Sequence, residues 1–240
     1  MTSTGGFDVL RVRAVSKRFG ARPVLGDVGF EIRRREVLGL IGPNGAGKTT
    51  LLECLAGMLP AEGGDVSADG RSLSAAGRRR MLFYVPDGIA PWDGQRVGAV
   101  LGFFGDLHRR GGEEIRSWVA ALGLGSLLGS RVGALSKGER KRFLLLLGLI
   151  ASAPALLLDE PFDGLDLRQT RGVAGLLRSA AREGRALVLS IHQLSEAASV
   201  CDRLVLLDAG RVAGEGDLEA LRERAGMVGA TLEEVFLALT

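Results

Sequence analysis

One short glycine-rich segment limits the folds open to this 240-residue chain more than any other feature. Residues 42–49 read Gly-Pro-Asn-Gly-Ala-Gly-Lys-Thr and fit the pattern G-x-x-x-x-G-K-[ST]. They follow Val37–Ile41, which is apolar throughout and typical of a buried strand, and a helix is predicted over residues 47–58. Glycines let successive backbone amides curl around phosphate oxygens, and the helix adds its positive N-terminal end. The segment therefore predicts a phosphate site in an α/β fold. The alternative is a glycine-rich turn that binds nothing.

A nucleotide site needs a second half, and the chain supplies it further along. Residues 155–158 form an apolar run that predicts a buried strand, and the run ends in Asp159 and Glu160. Asp159 can hold Mg²⁺ through water, while Glu160 can orient or deprotonate an attacking water. Lys48 can reach the β and γ phosphates, and the Thr49 hydroxyl can take Mg²⁺. An acidic pair at the end of a strand is common by itself, so this interpretation depends on the glycine-rich segment.

Composition and charge exclude several classes of protein. The 31 basic and 28 acidic residues give a formal charge of +3, too weak a basic balance to indicate nucleic acid. The two cysteines, Cys54 and Cys201, exclude a disulfide framework and have no metal-ligand spacing. No signal peptide is visible, and the longest apolar stretch, residues 143–158, is interrupted by Ser152 and Pro154. We therefore expect a cytoplasmic protein, or one that docks on a membrane-bound partner.

Strand and helix patterns alternate along most of the chain. Residues 9–15 and 28–33 alternate apolar and polar side chains and predict half-exposed strands, and residues 82–85 and 186–191 predict further strands. Helical patterns separate the later strands, which indicates a mostly parallel sheet covered on both faces. The segment from about residue 87 to 133 has helical patterns and no convincing strand, and we interpret it as a helical insert.

By the order and spacing of its motifs, the chain resembles the ATP-binding cassette (ABC) ATPases, the nucleotide-binding subunits of ABC transporters. Besides the two halves of the nucleotide site, residues 135–139 read Leu-Ser-Lys-Gly-Glu before a predicted helix and resemble the family's signature motif. Residues 164–166, Gly-Leu-Asp, resemble its D-loop. His192 follows a predicted strand where the family has its switch histidine, and Phe19 sits where an aromatic ring usually stacks on adenine. The resemblance covers nearly the whole chain.

The resemblance implies a P-loop NTPase fold of the ABC ATPase type, with a mostly parallel central sheet, an N-terminal antiparallel β-subdomain and a helical subdomain insert. It implies a single ABC ATPase domain over residues 1–240. Residues 7–86 and 153–240 would form the RecA-like core with the β-subdomain, and residues 87–152 the helical subdomain with the signature motif. Residues 231–240 and the segment around His192 resemble the ABC-2 type cassettes, which are mostly exporters.

By the same resemblance, two cassettes bind head to tail and enclose two ATP molecules. Ser136 and Gly138 would contact the γ-phosphate held by the opposite subunit, so that ATP binding favours the dimer and hydrolysis releases it. His192 would hydrogen-bond the γ-phosphate, and Glu160 would be the catalytic carboxylate. Phe19 has the alternative of an ordinary core aromatic residue.

The implied cofactors are ATP and Mg²⁺, and the implied site residues fall into five groups. The residues expected to bind nucleotide are Phe19, Gly42, Pro43, Asn44, Gly45, Ala46, Gly47, Lys48, Thr49 and Thr50. The signature residues are Ser136, Lys137, Gly138 and Glu139, and the D-loop residues are Gly164, Leu165 and Asp166. The expected catalytic residues are Glu160 and His192, and the expected Mg²⁺ ligands are Thr49 and Asp159, with Asp87 as a further candidate.

Two departures from the family pattern affect these expectations. Lys137 and Glu139 stand where Gly and Gln are commonest, but Ser136 and Gly138 are intact, so we expect function. Asp87 follows a proline at the position where the family usually has a Gln that senses Mg²⁺ and couples to the membrane partner. The Asp side chain is shorter than that of Gln and carries a negative charge. Asp87 can ligate Mg²⁺ through water, or it can be a plain turn residue.

We therefore expect the ATP-hydrolysing subunit of an ABC transporter, which powers transport, more specifically export, through a separately encoded permease. Its partners would be that permease and a second cassette, identical or different, with no nucleic acid. It would be peripheral on the inner face of the cell membrane. A groove lined by Trp92, Phe103, Phe104 and Trp118 would receive a permease helix, unless these rings only pack the insert. The alternatives are a soluble cassette associated with ribosomes or DNA, and a regulatory cassette that hydrolyses little ATP.

Overall fold

The computed structural model describes residues 6–240, whose strands form two sheets. The strands are β1 (Val9–Phe19), β2 (Arg22–Arg33), β3 (Val37–Ile41), β4 (Gly63–Ala68), β5 (Arg71–Ser72), β6 (Leu82–Val85), β7 (Ala155–Asp159), β8 (Ala186–Ile191), β9 (Arg203–Asp208) and β10 (Arg211–Gly216). The smaller sheet is antiparallel, in the order β2-β1-β4-β5. Its first two strands are longer than the predicted residues 9–15 and 28–33, because register shifts interrupt the alternation of side chains along them.

The larger sheet has the order β10-β9-β3-β8-β7-β6. All of its neighbouring strands pair in parallel except β10, which pairs antiparallel with β9 at one edge. Every residue of β3, β7 and β8 is buried, as expected of strands covered on both faces. The predicted mostly parallel central sheet and antiparallel β-subdomain are confirmed. The parallel arrangement also brings the carboxyl ends of β3, β7 and β8 to the same edge.

Helices cover both faces of this sheet. They are α1 (Lys48–Ala56), α2 (Ala75–Met81), α3 (Val97–His108), α4 (Gly112–Ala121), α5 (Lys137–Ile150), α6 (Leu167–Arg182), α7 (Leu194–Val200), α8 (Leu218–Ala225) and α9 (Leu232–Leu239). Helices α3, α4 and α5 lie between β6 and β7 in the chain and form the predicted helical insert. The sequence did not predict α2, because this helix buries no residue and so has no apolar periodicity.

Two apolar clusters form the core, one on each face of the larger sheet. One cluster contains Leu38 and Leu40 of β3 and packs α1 between the two sheets. The other contains Val37 and Ile41 and includes the apolar residues of α3, α5 and α6. Alternate side chains of β3 therefore point to opposite faces, as the two-residue period of a strand requires. This packing fixes the start of α1 at the carboxyl end of β3.

Within residues 6–240, each helix is too short or too polar to cross a lipid bilayer. Both cysteines are free; Cys54 is buried, and Cys201 is partly covered. Both thiols are thus small side chains within the fold, in agreement with the expected absence of a disulfide framework.

Candidate functional site

The glycine-rich segment forms a tight loop from the end of β3 to the start of α1. Gly45 and Gly47 have φ angles of 85° and 102°, in the left-handed region that favours glycine. A Cβ atom on Gly47 would also lie 2.8 Å from Leu25 and 3.0 Å from the Val24 carbonyl oxygen. Both positions therefore need glycine. The loop can turn its amides inward at the N-terminus of α1, which is the arrangement that binds phosphate.

This loop is one wall of a cleft of about 460 Å³. The residues that line the cleft are Phe19, Arg22, Val24, Asn44, Gly45, Gly47, Lys48, Thr49, Thr50, Asp87, Asp159 and Glu160. The fold thus brings both predicted halves of the nucleotide site together. Phe19 is 51% exposed at the cleft, so it is not a core residue. The ammonium of Lys17 lies 5.4 Å from the centre of its ring.

Lys48 lies at the floor of the cleft and is almost fully buried. Its Nζ donates hydrogen bonds to the carbonyl oxygens of Gly42, at 2.7 Å, and Pro43, at 3.3 Å. Burial lowers the pKa of Lys48, while the negative charges of Glu160 and Asp159 act in the opposite direction. The lysine is therefore a poorly hydrated cation close to the carboxylates of Asp159 and Glu160. Such a cation binds an anion strongly.

Asp159 ends β7 and accepts hydrogen bonds from three hydroxyl groups. Thr49 Oγ1 donates to its Oδ2 at 2.8 Å, and Tyr84 OH donates to the same oxygen at 3.2 Å. Ser190 Oγ donates to Oδ1. Burial and the nearby Asp159 charge raise the pKa of Tyr84 far above its ordinary value, so the phenol stays a donor. These contacts fix the carboxylate beside the Thr49 hydroxyl, and both are oxygen ligands of the kind that Mg²⁺ prefers.

Sequence analysis did not predict Tyr84 or Ser190. Ser190 pairs with Asp159 in the parallel register of β7 and β8, and Tyr84 lies on β6 at the other side of β7. Ser190 is fully buried, and its hydroxyl also accepts a hydrogen bond from the Glu160 amide at 2.9 Å. Ser190 is a polar residue in an otherwise apolar strand, and this feature of the sequence could have identified it.

Glu160 follows Asp159 and has an unusual backbone. Its φ angle is 47°, in a region that few residues other than glycine occupy, and such strain often marks a functional position. Its Oε2 lies within hydrogen-bond distance of His192 Nδ1, and its Oε1 lies 3.9 Å from Lys48 Nζ. The carboxylate is thus held between two basic groups at the mouth of the cleft, where it can orient a water molecule or accept a proton from it.

The signature residues lie at the start of α5. Ser136 caps this helix, and its backbone N–H donates to Glu139 Oε2 at 2.8 Å, while the Glu139 amide donates to the Ser136 hydroxyl at 3.4 Å. These hydrogen bonds lower the pKa of Glu139. The glutamate that departs from the family pattern therefore completes a capping box. Lys137 forms an ion pair with Asp163 at 2.6 Å.

The D-loop residues lie directly against the signature residues in the same chain. A Cβ atom on Gly138 would lie 2.8 Å from the Gly164 carbonyl oxygen, so only glycine allows this approach. Asp166 caps α6 in a second capping box, and Leu165 packs against the core. Among the described residues that line the cleft, none belongs to 136–139 or to the D-loop. One chain therefore holds the cleft and, outside the residues that line it, the exposed start of α5.

Asp87 lies at the rim of the cleft, and its carboxylate forms an ion pair with the ammonium of Lys141 on α5. Sequence analysis did not identify Lys141. The described residues contain no group of three or more His, Cys, Asp or Glu side chains placed to bind a metal. Thr49 and Asp159 still suit Mg²⁺, because phosphate and water oxygens usually supply most ligands of this ion.

The chain is similar in sequence to a family model and to curated proteins. The family model described as ABC transporter matches residues 25–163. The hemin import ATP-binding protein HmuV of Streptomyces coelicolor is 40% identical over 82% of this chain and 74% of its own length. An uncharacterized ABC transporter ATP-binding protein of Methanocaldococcus jannaschii is 32% identical over 88% of this chain and 78% of its own. The doxorubicin resistance ATP-binding protein DrrA of Mycobacterium tuberculosis is 34% identical over 90% of this chain and 67% of its own.

Solved structures are similar in fold. A structure of an ATP-binding subunit of an ABC transporter has a TM-score of 0.88 and 29% identity, and the match covers 96% of this chain and 99% of that chain. A nucleotide-free ATP-binding cassette from an ABC transporter has a TM-score of 0.79 and 20% identity, and the match covers 95% and 98% of the two chains. These matches confirm the predicted fold class.

Proposed function

Because this chain belongs to the ATP-binding proteins of the ABC transporter family, we propose that two cassettes enclose ATP between them and drive transport through a separate permease. Proteins of this family hydrolyse ATP, and this chain is an ATPase of that type. The main support for the dimer is the separation of the cleft from the exposed Ser136 at the start of α5. A second cassette, identical or different, would supply that helix start to the cleft.

Several cleft residues then have a role in this proposal. The loop amides and Lys48 bind the phosphates, and Phe19 stacks on the adenine. Thr49 and Asp159 would hold Mg²⁺, which neutralises phosphate charge when bound. Glu160 orients the attacking water and accepts its proton.

The second cassette supplies further contacts to the γ-phosphate. The Ser136 hydroxyl and the amides at the start of α5 donate to the γ-phosphate, because the N-terminal end of a helix favours an anion. Gly138 keeps this helix start close to the D-loop. His192 contacts the γ-phosphate from within the same chain as Glu160, to which it is already hydrogen-bonded.

A mixing experiment tests the shared site. Lys48→Ala removes the phosphate-binding cation, and Ser136→Asp places a negative charge against the γ-phosphate. Asp caps a helix as well as Ser does, so the second variant keeps α5. We expect each variant alone to be inactive and an equal mixture to recover part of the ATPase activity, since one site of the mixed dimer is intact. The proposal is wrong if the mixture stays as inactive as the separate variants.

Ser190→Ala tests whether the Ser190 hydroxyl holds Asp159, a proposed Mg²⁺ ligand, in place. The change leaves a buried carboxylate oxygen of Asp159 and the Glu160 amide without their partner. We expect the free energy of unfolding to fall by about 1–3 kcal/mol. ATP turnover should fall about ten- to hundredfold, as is typical when the group that holds a metal ligand is removed. Ser190→Thr retains the hydroxyl and is the matched control. Urea denaturation and steady-state ATPase assays measure both effects, and equal turnover of the Ala and Thr variants would contradict the role.

The permease would dock on a groove of about 280 Å³ in the helical insert. Trp92 and Phe103 line this groove and are 47% and 62% exposed. The predicted lining needs correction, because Phe104 is buried and Trp118 packs against the core beneath Arg110. The two exposed rings suit an amphipathic cytoplasmic helix of the permease. Through this contact the cassette would be peripheral on the inner face of the membrane.

Phe103→Ser tests the docking groove. We expect the variant to hydrolyse ATP normally in isolation and to lose most of its co-sedimentation with native membrane vesicles, since the ring is a main apolar anchor. Leu107→Ser is the matched control, because Leu107 lies on the same helix, is 60% exposed and does not line the groove. Similar co-sedimentation of the two variants would contradict the assignment of the groove.

We retain export as the proposed direction of transport. It is supported by the likeness of residues 231–240 to ABC-2 type cassettes and by the drug-resistance protein among the relatives. The same relatives include a hemin import protein, so overall similarity does not decide the direction. Nucleic acid is not among the proposed partners.

A further inference from the structure

Lys141 is an unusual residue for its position in α5. The buried residues of this helix are otherwise apolar or glycine, yet the Lys141 side chain is only 5% exposed. A buried ammonium is stable only with an anionic or carbonyl partner. Lys141 has both kinds, since Nζ pairs with the Asp87 carboxylate and lies 3.4 Å from the Asp159 carbonyl oxygen.

The surroundings of Lys141 explain why its ammonium pairs with the carboxylate of Asp87 and not with that of Asp159. The Asp159 carboxylate is already occupied by the hydroxyls of Thr49, Tyr84 and Ser190, and only its backbone oxygen faces the ammonium. Within residues 6–240, Asp87 is the carboxylate that lies within ion-pair distance of Lys141. The Asp87 side chain is 37% exposed and also lines the cleft. The pair therefore joins α5, the end of β7 and the rim of the cleft.

We propose that the Lys141 ammonium is the resident counter-ion of Asp87, and that their ion pair keeps this carboxylate out of the Mg²⁺ ligands while holding α5 against the rim of the cleft. This inference rests on the proposed nucleotide site. Lys141 lies about one helical turn after Lys137. The pair thus holds the turn that carries Ser136, which makes Lys141 a positioning residue.

The pair has a consequence for the charge of the cleft. A paired Asp87 adds no net charge at the rim, so the carboxylates that attract Mg²⁺ in the cleft are those of Asp159 and Glu160, together with the phosphates. Mg²⁺ bound at the other Asp87 oxygen would have to share this carboxylate with the Lys141 ammonium, whose positive charge opposes a second cation. Removal of Lys141 alone frees Asp87 as an additional oxygen ligand, and removal of both charges restores the original net charge.

Three variants test this inference through the Mg²⁺ dependence of nucleotide binding. Binding of a fluorescent ATP analogue to the full chain is titrated with Mg²⁺ for the wild type, Lys141→Gln, Asp87→Asn and the double variant. We expect Lys141→Gln to lower the Mg²⁺ concentration at half-maximal binding about tenfold, because it adds a charged ligand. The double variant should match the wild type within about twofold, because Asp87 is not a ligand in either protein.

The decisive comparison is between the wild type and the double variant, which have the same net charge at the rim. If Asp87 binds Mg²⁺ directly in the wild type, the double variant will need about tenfold more Mg²⁺, and the inference is overturned. It is also overturned if Lys141→Gln leaves the Mg²⁺ requirement unchanged. The double variant keeps the test available should either single variant fold poorly.

Thermal unfolding without nucleotide gives an independent readout. Each single variant should lower the melting temperature more than the double variant does, since a single change leaves one charge unpaired. Additive losses would overturn the ion pair. If the wild type binds no nucleotide, the proposed function fails, and the melting temperatures still decide whether the pair exists.

Discussion

Glu160→Gln should reduce ATP hydrolysis about a thousandfold while nucleotide binding persists. The amide retains the size of the side chain but cannot accept a proton from water. Its loss also removes the anionic partner of His192 Nδ1 and the carboxylate 3.9 Å from Lys48. Because hydrolysis is what would release the two cassettes, the variant with ATP should remain a dimer.

Size-exclusion chromatography with and without ATP measures this dimer, and a steady-state phosphate assay measures turnover. Glu113→Gln is the matched control, since Glu113 is an exposed residue in the first turn of α4. We expect this control to hydrolyse ATP at the wild-type rate. A Glu160→Gln protein that stays monomeric with ATP and turns over normally would refute the assigned role.

Lys48→Ala should weaken ATP binding by about a hundredfold or more. The change removes a charge-assisted contact to phosphate in a cleft where water screens little. It also removes the hydrogen bonds from Nζ to the Gly42 and Pro43 carbonyl oxygens, which hold the loop closed. Isothermal titration calorimetry with ATP and Mg²⁺ measures the dissociation constant.

Arg116→Ala is the control for this loss, because it removes one positive charge from an exposed position on α4. Its dissociation constant should equal that of the wild type. An unchanged dissociation constant for Lys48→Ala would remove the basis for the whole site, including the assignments of Thr49 and Asp159.

The sequence predicts those parts of the fold that depend on local pattern. The bounds of β3, β6 and β8 agree with the prediction, because each is a short and largely apolar run. The glycine-rich loop and Asp159 likewise have a fixed spacing from their strands. The bulged pairing of β1 with β2 was less predictable, because a register shift leaves no regular alternation.

The supporting residues of the site depend on neighbours that are distant in the chain. Tyr84, Ser190 and Lys141 reach Asp159 or Asp87 only through the strand order and the placement of α5, which no local pattern contains. Glu139 is different, since its spacing from Ser136 is the capping-box pattern and was visible in the sequence. In the family pattern Glu139 only replaces the commonest residue, Gln, and this does not indicate that Glu139 completes a capping box.

The contact between Gly138 and Gly164 has a consequence for how a pair of cassettes would work. These two backbones touch within one chain, and the Lys137–Asp163 ion pair lies beside them. In the proposed dimer, the helix start that would serve the partner's ATP is therefore packed against the segment that follows Glu160, which would act on the chain's own ATP. In that dimer, a displacement at either ATP would be transmitted to the other, and the two hydrolysis events would be mechanically linked.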